Sequence, residues 1–187
     1  MLEKKKILRK IIKVRVSAIS AEEKAKREKL LLDNLFSMPE FLAANTVMLF
    51  ANLPDEIGTF SLIDKCIAMG KKVFLPVING DDMTACEFTG EYRVGRYEIK
   101  EPVTPNSSLF PNGHQHVLTP HSMDFILVPG VAFSPNGYRL GRGKGYYDKF
   151  LSKYSNLFTV GVCFREQFYL DIPTEPHDIP MQKVIVC

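Results

Sequence analysis

Apolar residues recur along this chain in two rhythms. In KKKILRKIIKVRV (4–16) Ile7, Ile11 and Val14 fall on one stripe at helical spacing. Leu8 and Ile12 lie beside it and the cations lie opposite, which predicts an amphipathic helix. SAEE follows, and Ser20 with Glu23 three residues on is a capping-box pattern, so a second helix is expected from Ala21. Its apolar positions Leu30, Leu31, Leu35 and Phe36 come late, and Pro39 interrupts it. The rhythm then changes. TVMLFANL (46–53) is almost wholly apolar without alternation, as in a strand covered on both faces of a parallel sheet.

After the turn PDEIGT, Thr59 can cap a helix over FSLIDKCIAM, with Gly70 where a helix-ending glycine belongs. KKVFLPVI (71–78) is the next strand, completing a βαβ unit. A turn, a strand and an irregular excursion follow, then a long Pro- and Asn-rich loop over 102–122. DFILVPGVAF (124–133) predicts the most apolar strand. A glycine-rich stretch, a helix through Lys153, the strand FTVGVCF (158–164) and a last strand KVIVC complete the chain. The expected fold is α/β, a three-layer, mostly parallel open sheet with helices on both faces. The chain is expected to form one domain over 1–187, with residues 1–37 as a basic helical arm packed on the body. In such sheets ligands bind beyond the carboxyl ends of the strands. That rule gathers NLPDE, PVINGDD and the glycine-rich turn on one rim.

Charge sharpens the picture. The net charge is +3, but residues 1–29 carry eleven Lys/Arg against four Glu, a local +7, which leaves −4 for the rest. A basic arm on a mildly acidic body suggests an anionic partner. No apolar run approaches the roughly 18 residues of a membrane span, no secretory signal is visible, and four scattered cysteines without a C-x-x-C pair fit buried thiols in a reducing cytoplasm.

The glycine-rich stretch GYRLGRGKGYYDKF (137–150) holds four glycines, four cations and three tyrosines. Glycines let backbone N–H groups converge and a ligand approach, a helix start near Gly145 adds its positive end, and Arg139, Arg142 and Lys144 add full charges. These are the parts of a phosphate cradle. Neither the P-loop nor the dinucleotide fingerprint matches, because Tyr138 and Gly145 break the first and the third glycine comes one residue early for the second. Asp148, one turn into the helix, is either a solvated first-turn carboxylate or a magnesium ligand beside polyphosphate. His114 and His116 have metal-binding spacing without a third ligand, so they, like His121 and His177, are expected to be loop residues.

PGVAFSPNGYRLGRGKGYYDKFL (129–151) resembles the signature of the 5-formyltetrahydrofolate cyclo-ligase family. The likeness extends over nearly the whole chain, in order: Lys5-x-x-Leu8-Arg9, AISAEEK, LPDEIGT, GRYEIKEP and EPHDIPMQKVIV. Ser134 and Gln182 stand where many members carry acidic residues. The resemblance implies ATP- and Mg²⁺-dependent conversion of 5-formyltetrahydrofolate to 5,10-methenyltetrahydrofolate, with ADP and phosphate released. It implies Arg142 and Lys144 as catalytic cations on the transferring phosphoryl group. Lys5, Arg9 and the run Arg139, Leu140, Gly141, Arg142, Gly143, Lys144, Gly145, Tyr146 and Tyr147 would bind ATP. Glu56 and Tyr146 would bind the folate, and Asp148 and Asp178 the metal. The expected partners are small molecules, with no nucleic acid or membrane, and the expected state is a cytoplasmic monomer. A nucleic-acid module is the competing class, but no aromatic residue interleaves with the arm's cations before Phe36. A sugar-phosphate enzyme on a similar scaffold is a third reading.

Overall fold

The computed structural model describes residues 2–95, 100–103, 123–154 and 157–187. The elements run α1 (Leu2–Ser17), α2 (Ala21–Leu35), α3 (Pro39–Ala43), β1 (Thr46–Met48), α4 (Phe60–Ala68), β2 (Lys72–Asn79) and β3 (Asp82–Glu87). They continue with β4 (Tyr92–Val94), β5 (Lys100–Pro102), β6 (Phe125–Val128), β7 (Ala132–Phe133), β8 (Arg139–Leu140), α5 (Tyr146–Leu151), β9 (Phe158–Cys163) and β10 (Lys183–Val186). Most of the loop expected over 102–122, with His114, His116 and His121, lies outside the described residues.

Six strands form the central sheet in the order β10-β9-β6-β1-β2-β3. Every pairing is parallel except β2 with β3, a hairpin that closes one edge. Strand β2 tolerates Pro76 because β1 pairs with it only over Lys72–Phe74, so the missing N–H falls past that ladder. From β1 the chain steps to β2 on one side, whereas β6 leads to β9 and β10 on the other. The strand order therefore reverses between β1 and β6, a topological switch point.

The central strands alternate between two cores. Val47, Leu49, Phe125, Leu127, Val160 and Ile185 face a core shared with Ile12 and Val16 of α1, Leu31 and Leu35 of α2, Phe41 of α3 and Leu62 and Ile63 of α4. Met48, Phe74, Ile126 and Val128 face the other way, onto Phe133 and onto Phe150 and Leu151 of α5. Among the described residues the three layers are therefore lopsided, with four α-helices on one face and one short α-helix on the other. Phe41 sets its ring edgewise against Phe125 at 5.2 Å between centroids, tying α3 to the sheet.

Three local expectations change. The face of α1 against the body is Lys5, Ile12 and Val16, while Ile7, Ile11 and Val14 remain exposed. The Ser20 hydroxyl accepts the Glu23 N–H (3.2 Å), but the Glu23 carboxylate accepts from Arg27 (3.0 Å). Thr59 stands at the N-cap of α4 without a side-chain cap bond, because its hydroxyl donates to the Phe50 carbonyl. Gly70 behaves as expected, at φ +76° just past the helix.

Candidate active site

Strands β7 and β8 pair as a two-stranded hairpin placing Phe133 opposite Arg139. The Gly137 carbonyl accepts the Met181 N–H at 2.8 Å, which fastens this hairpin to the segment before β10. The loop Gly141–Gly145 then leaves the hairpin toward the switch point. Gly143 (φ +103°) and Gly145 (φ +67°) hold left-handed conformations that side chains resist, and they turn the chain into α5. That helix ends at Leu151, with a turn where a helix through Lys153 was expected.

The cations of this region face different partners. Arg139 is buried; its Nη1 meets Asp148 Oδ1 at 3.0 Å and its guanidinium lies over the Tyr147 ring. Burial pushes the Tyr147 phenol up, nearby Glu56 adds to this, and Arg139 opposes it. Asp148 Oδ1 also accepts the Ile179 N–H at 3.4 Å. The Leu140 side chain is buried in the core and its carbonyl accepts the Val131 N–H, so it presents no side chain to the loop. Lys144 is exposed and makes no ion pair with the described residues. Tyr146 donates its hydroxyl to the Gly80 carbonyl at 3.3 Å, across to the β2–β3 turn.

Arg142 reaches across the switch point to the turn after β1. It donates Nη2 to Asp55 Oδ1 (2.7 Å) and Glu56 Oε1 (3.0 Å), and Nη1 to Asp55 Oδ2 (3.2 Å). Glu56, with a side chain only 9% exposed, also accepts the Leu53 N–H at 2.9 Å. Burial raises the Glu56 carboxyl above its ordinary range and outweighs the opposing pull of Arg142. At Asp55 the balance reverses: burial works upward, but Arg142 wins and holds the carboxyl low. Two neighbouring carboxyls of one cleft are thus shifted in opposite directions, Glu56 by burial and Asp55 by the Arg142 guanidinium.

Helix α1 supplies the remaining wall. Lys5, Arg9, Ile12 and Val16 recur at helical spacing toward the body. Arg9 Nε donates to the Gly141 carbonyl at 2.8 Å. Lys5 is buried and pairs with Glu175 (2.8 Å) and Asp178 (3.2 Å). Burial alone would lower the Lys5 ammonium's pKa, but hydrogen bonds to the two carboxylates carry it upward. A cavity of about 160 Å³ opens between α1 and the loop, lined by Arg9, Lys13, Asp55, Arg142 and Gln167 among others.

Glu175, His177 and Asp178 offer donor atoms all within 4.8 Å of one another, which can hold a metal ion. The sequence pattern points to Asp178 but not to Glu175 or Asp55. Asp55 adjoins Glu56 in LPDEIGT, a signal available in the sequence. Glu175 carries none by itself, since its partner Lys5 is 170 positions away. The structure thus brings Glu56 to Arg142, Arg9 to Gly141, Lys5 to Asp178 and Arg139 to Asp148.

The sequence profile of the 5-formyltetrahydrofolate cyclo-ligase family matches residues 1–187. A mouse 5-formyltetrahydrofolate cyclo-ligase is 28% identical, over 97% of this chain and 92% of its own. The solved structure of Aquifex aeolicus 5,10-methenyltetrahydrofolate synthetase superposes with a TM-score of 0.82 at 31% identity, covering 97% of this chain and 89% of that one. A Mycoplasma pneumoniae 5,10-methenyltetrahydrofolate synthetase, at 20% identity, shares the fold with a TM-score of 0.75 over 97% of both chains.

Proposed function

The chain belongs to the 5-formyltetrahydrofolate cyclo-ligase family and is an enzyme of that class, and from that premise we propose that it converts 5-formyltetrahydrofolate to 5,10-methenyltetrahydrofolate at the expense of ATP. The observation that carries this reading is the meeting of Arg142 with Glu56 across the switch point. It sets a cationic, glycine-rich loop suited to phosphates against a carboxylate suited to a pterin.

The formyl oxygen is a poor leaving group. It attacks the γ-phosphorus, ADP departs, and the oxygen now leaves as phosphate. N10 bonds to the formyl carbon and loses its proton, and the C–O bond breaks with its electron pair going to phosphate. The protein's part is positioning and charge neutralisation. Arg142 and Lys144 neutralise the transferring phosphoryl group. Lys5 and Arg9, with the loop from Arg139 to Tyr147, hold the nucleotide. The Glu56 carboxylate accepts paired pterin N–H groups, and Tyr146 lies against the folate.

Asp148 and Asp178 fit a magnesium ion in their chemistry, since that ion takes one or two carboxylates together with phosphate oxygens. Asp148 bonds the backbone of Ile179, the residue after Asp178. Magnesium held there would supply positive charge to the phosphates; Arg139 contacts Asp148 and Lys5 contacts Asp178. Cys66, Cys163 and Cys187 are buried free thiols, which supports work in a reducing compartment such as the cytoplasm. Among the described residues no helix is long and apolar enough to cross a membrane.

Mixing the protein with 5-formyltetrahydrofolate, ATP and a magnesium salt is expected to raise the absorbance of the methenyl product, with ADP and phosphate formed in equal amounts. Folded protein that gives no rise overturns the reading. A rise that needs no ATP overturns the phosphorylation step.

A further inference from the structure

Arg142 is held by two carboxylates that are not equivalent. It lies between Gly141 and Gly143 on an exposed loop, and among the described residues no group of that loop bonds its guanidinium. Its direction is set from across the cleft. Glu56 contributes one contact, at 3.0 Å, to the same Nη2 that Asp55 holds at 2.7 Å. Asp55 contributes two, because Nη1 also reaches its second oxygen at 3.2 Å. Paired contacts of this kind fix the plane of a guanidinium as well as its place.

The two carboxylates also differ in what else they can do. Glu56 is buried and already tied to the Leu53 N–H. In the function proposed above, on which this inference rests, Glu56 turns to the pterin and its contact with Arg142 is lost. Asp55 stands on the solvent side, with its side chain 38% exposed, and its carboxylate bonds no other side chain among the described residues. It can keep Arg142 after the folate has arrived. A guanidinium carries five N–H groups, so a fork held by Asp55 still leaves donors for a phosphoryl oxygen.

We propose that Asp55 is the positioning residue for Arg142: its two-point contact aims the guanidinium at the transferring phosphoryl group once folate has claimed Glu56. Asp55 itself touches neither substrate. Without it, a cation flanked by two glycines has no fixed direction, and misplacement of a catalytic group by about 1 Å can cost on the order of 100-fold in rate.

A double-mutant cycle in steady-state turnover tests this, using Asp55→Asn, Arg142→Gln and the pair. Asp55→Asn is expected to lower kcat by about 10- to 100-fold with KM for 5-formyltetrahydrofolate unchanged. Asp55→Glu, which keeps the charge, is expected to restore most of the loss. In the Arg142→Gln background, Asp55→Asn is expected to change kcat by less than about two-fold, since residues that act as a unit are not additive. Thermal unfolding checks each variant, and Asp55→Ser carries the same expectations if Asp55→Asn does not fold. Losses that add in the double variant, wild-type kcat in Asp55→Asn, or a KM rise in place of a kcat loss each overturn the proposal. A wild-type protein with no turnover overturns the functional reading itself, and this inference with it.

Discussion

Lys144 and Arg142 are two positions apart, yet the fold treats them differently. Arg142 is engaged by Asp55 and Glu56, whereas Lys144 stands exposed on the glycine loop without an ion-pair partner among the described residues. A cation with no structural bond to lose isolates a chemical role from a folding one. Lys144→Ala is therefore expected to reduce kcat by about 100- to 1,000-fold, in line with removal of one donor to developing charge, and to leave the thermal midpoint unchanged. Turnover at the wild-type level in that variant removes Lys144 from the mechanism. The cysteines mark the opposite extreme. Burial pushes the Cys66 and Cys163 thiols up to about 12, so neither supplies a thiolate near neutrality. At this scale the sequence signalled which residues carry charge. It could not signal which charges are already spent on one another, because Lys5–Glu175 and Arg142–Asp55 join positions far apart in the chain.

At the scale of elements, α1 shows how tertiary contacts choose among faces that sequence leaves equivalent. Its most regular apolar stripe, Ile7, Ile11 and Val14, faces solvent, while a buried lysine faces the body. Burying Lys5 is tolerable only because Glu175 and Asp178 meet it. Periodicity identifies a helix, but its inward face depends on what waits there. A second tie fixes α2: Arg27 clamps Glu166 in the short 3₁₀ turn Arg165–Gln167 with both terminal nitrogens. The hydrogen bond from Arg27 is the main cause that holds the Glu166 carboxyl below its ordinary 4.5, with burial opposing. A depressed carboxylate stabilises the fold fully above its unfolded value and loses that contribution as pH falls through the folded one. Glu166→Gln is expected to cost about 1 kcal/mol at neutral pH. The gap from wild type should close on acidification below the ordinary carboxylate range. Chemical denaturation across a pH series measures it, and a gap independent of pH would refute the assignment.

Across the whole molecule, the site depends on how the β7–β8 hairpin sits on the sheet. Phe133 is fully buried under β9, and a Cβ at Gly161 would strike its ring. The ring packs as closely on Gly130, where an added Cβ would lie 2.7 Å from it. Phe133 is paired in register with Arg139, so pressure on the ring passes to the hairpin that leads into the glycine loop. Gly161→Ala is expected to destabilise by about 1–3 kcal/mol, the usual cost of overpacking, and to lower turnover together with stability. Urea denaturation and the product assay read the two effects. Unaltered stability would mean that the ring has room the packing denies it.

Much of the architecture was legible in local pattern: the βαβ rhythm, the apolar run Phe125–Val128, the cap at Ser20 and the glycine past α4 all describe forces that act within a few residues, whereas the single strand expected over 124–133 divides at Pro129-Gly130 and its second part, Ala132–Phe133, joins a separate hairpin. The cationic glycine loop was legible too, because its composition suits neither a strand nor an ordinary helix. Only the folded sheet decided that the strand order reverses between β1 and β6, which lays Asp55 and Glu56 opposite Arg142. Chain topology sets such meetings, and the free energy of pairing charges depends on distance and burial in space, for which spacing along the sequence is no guide.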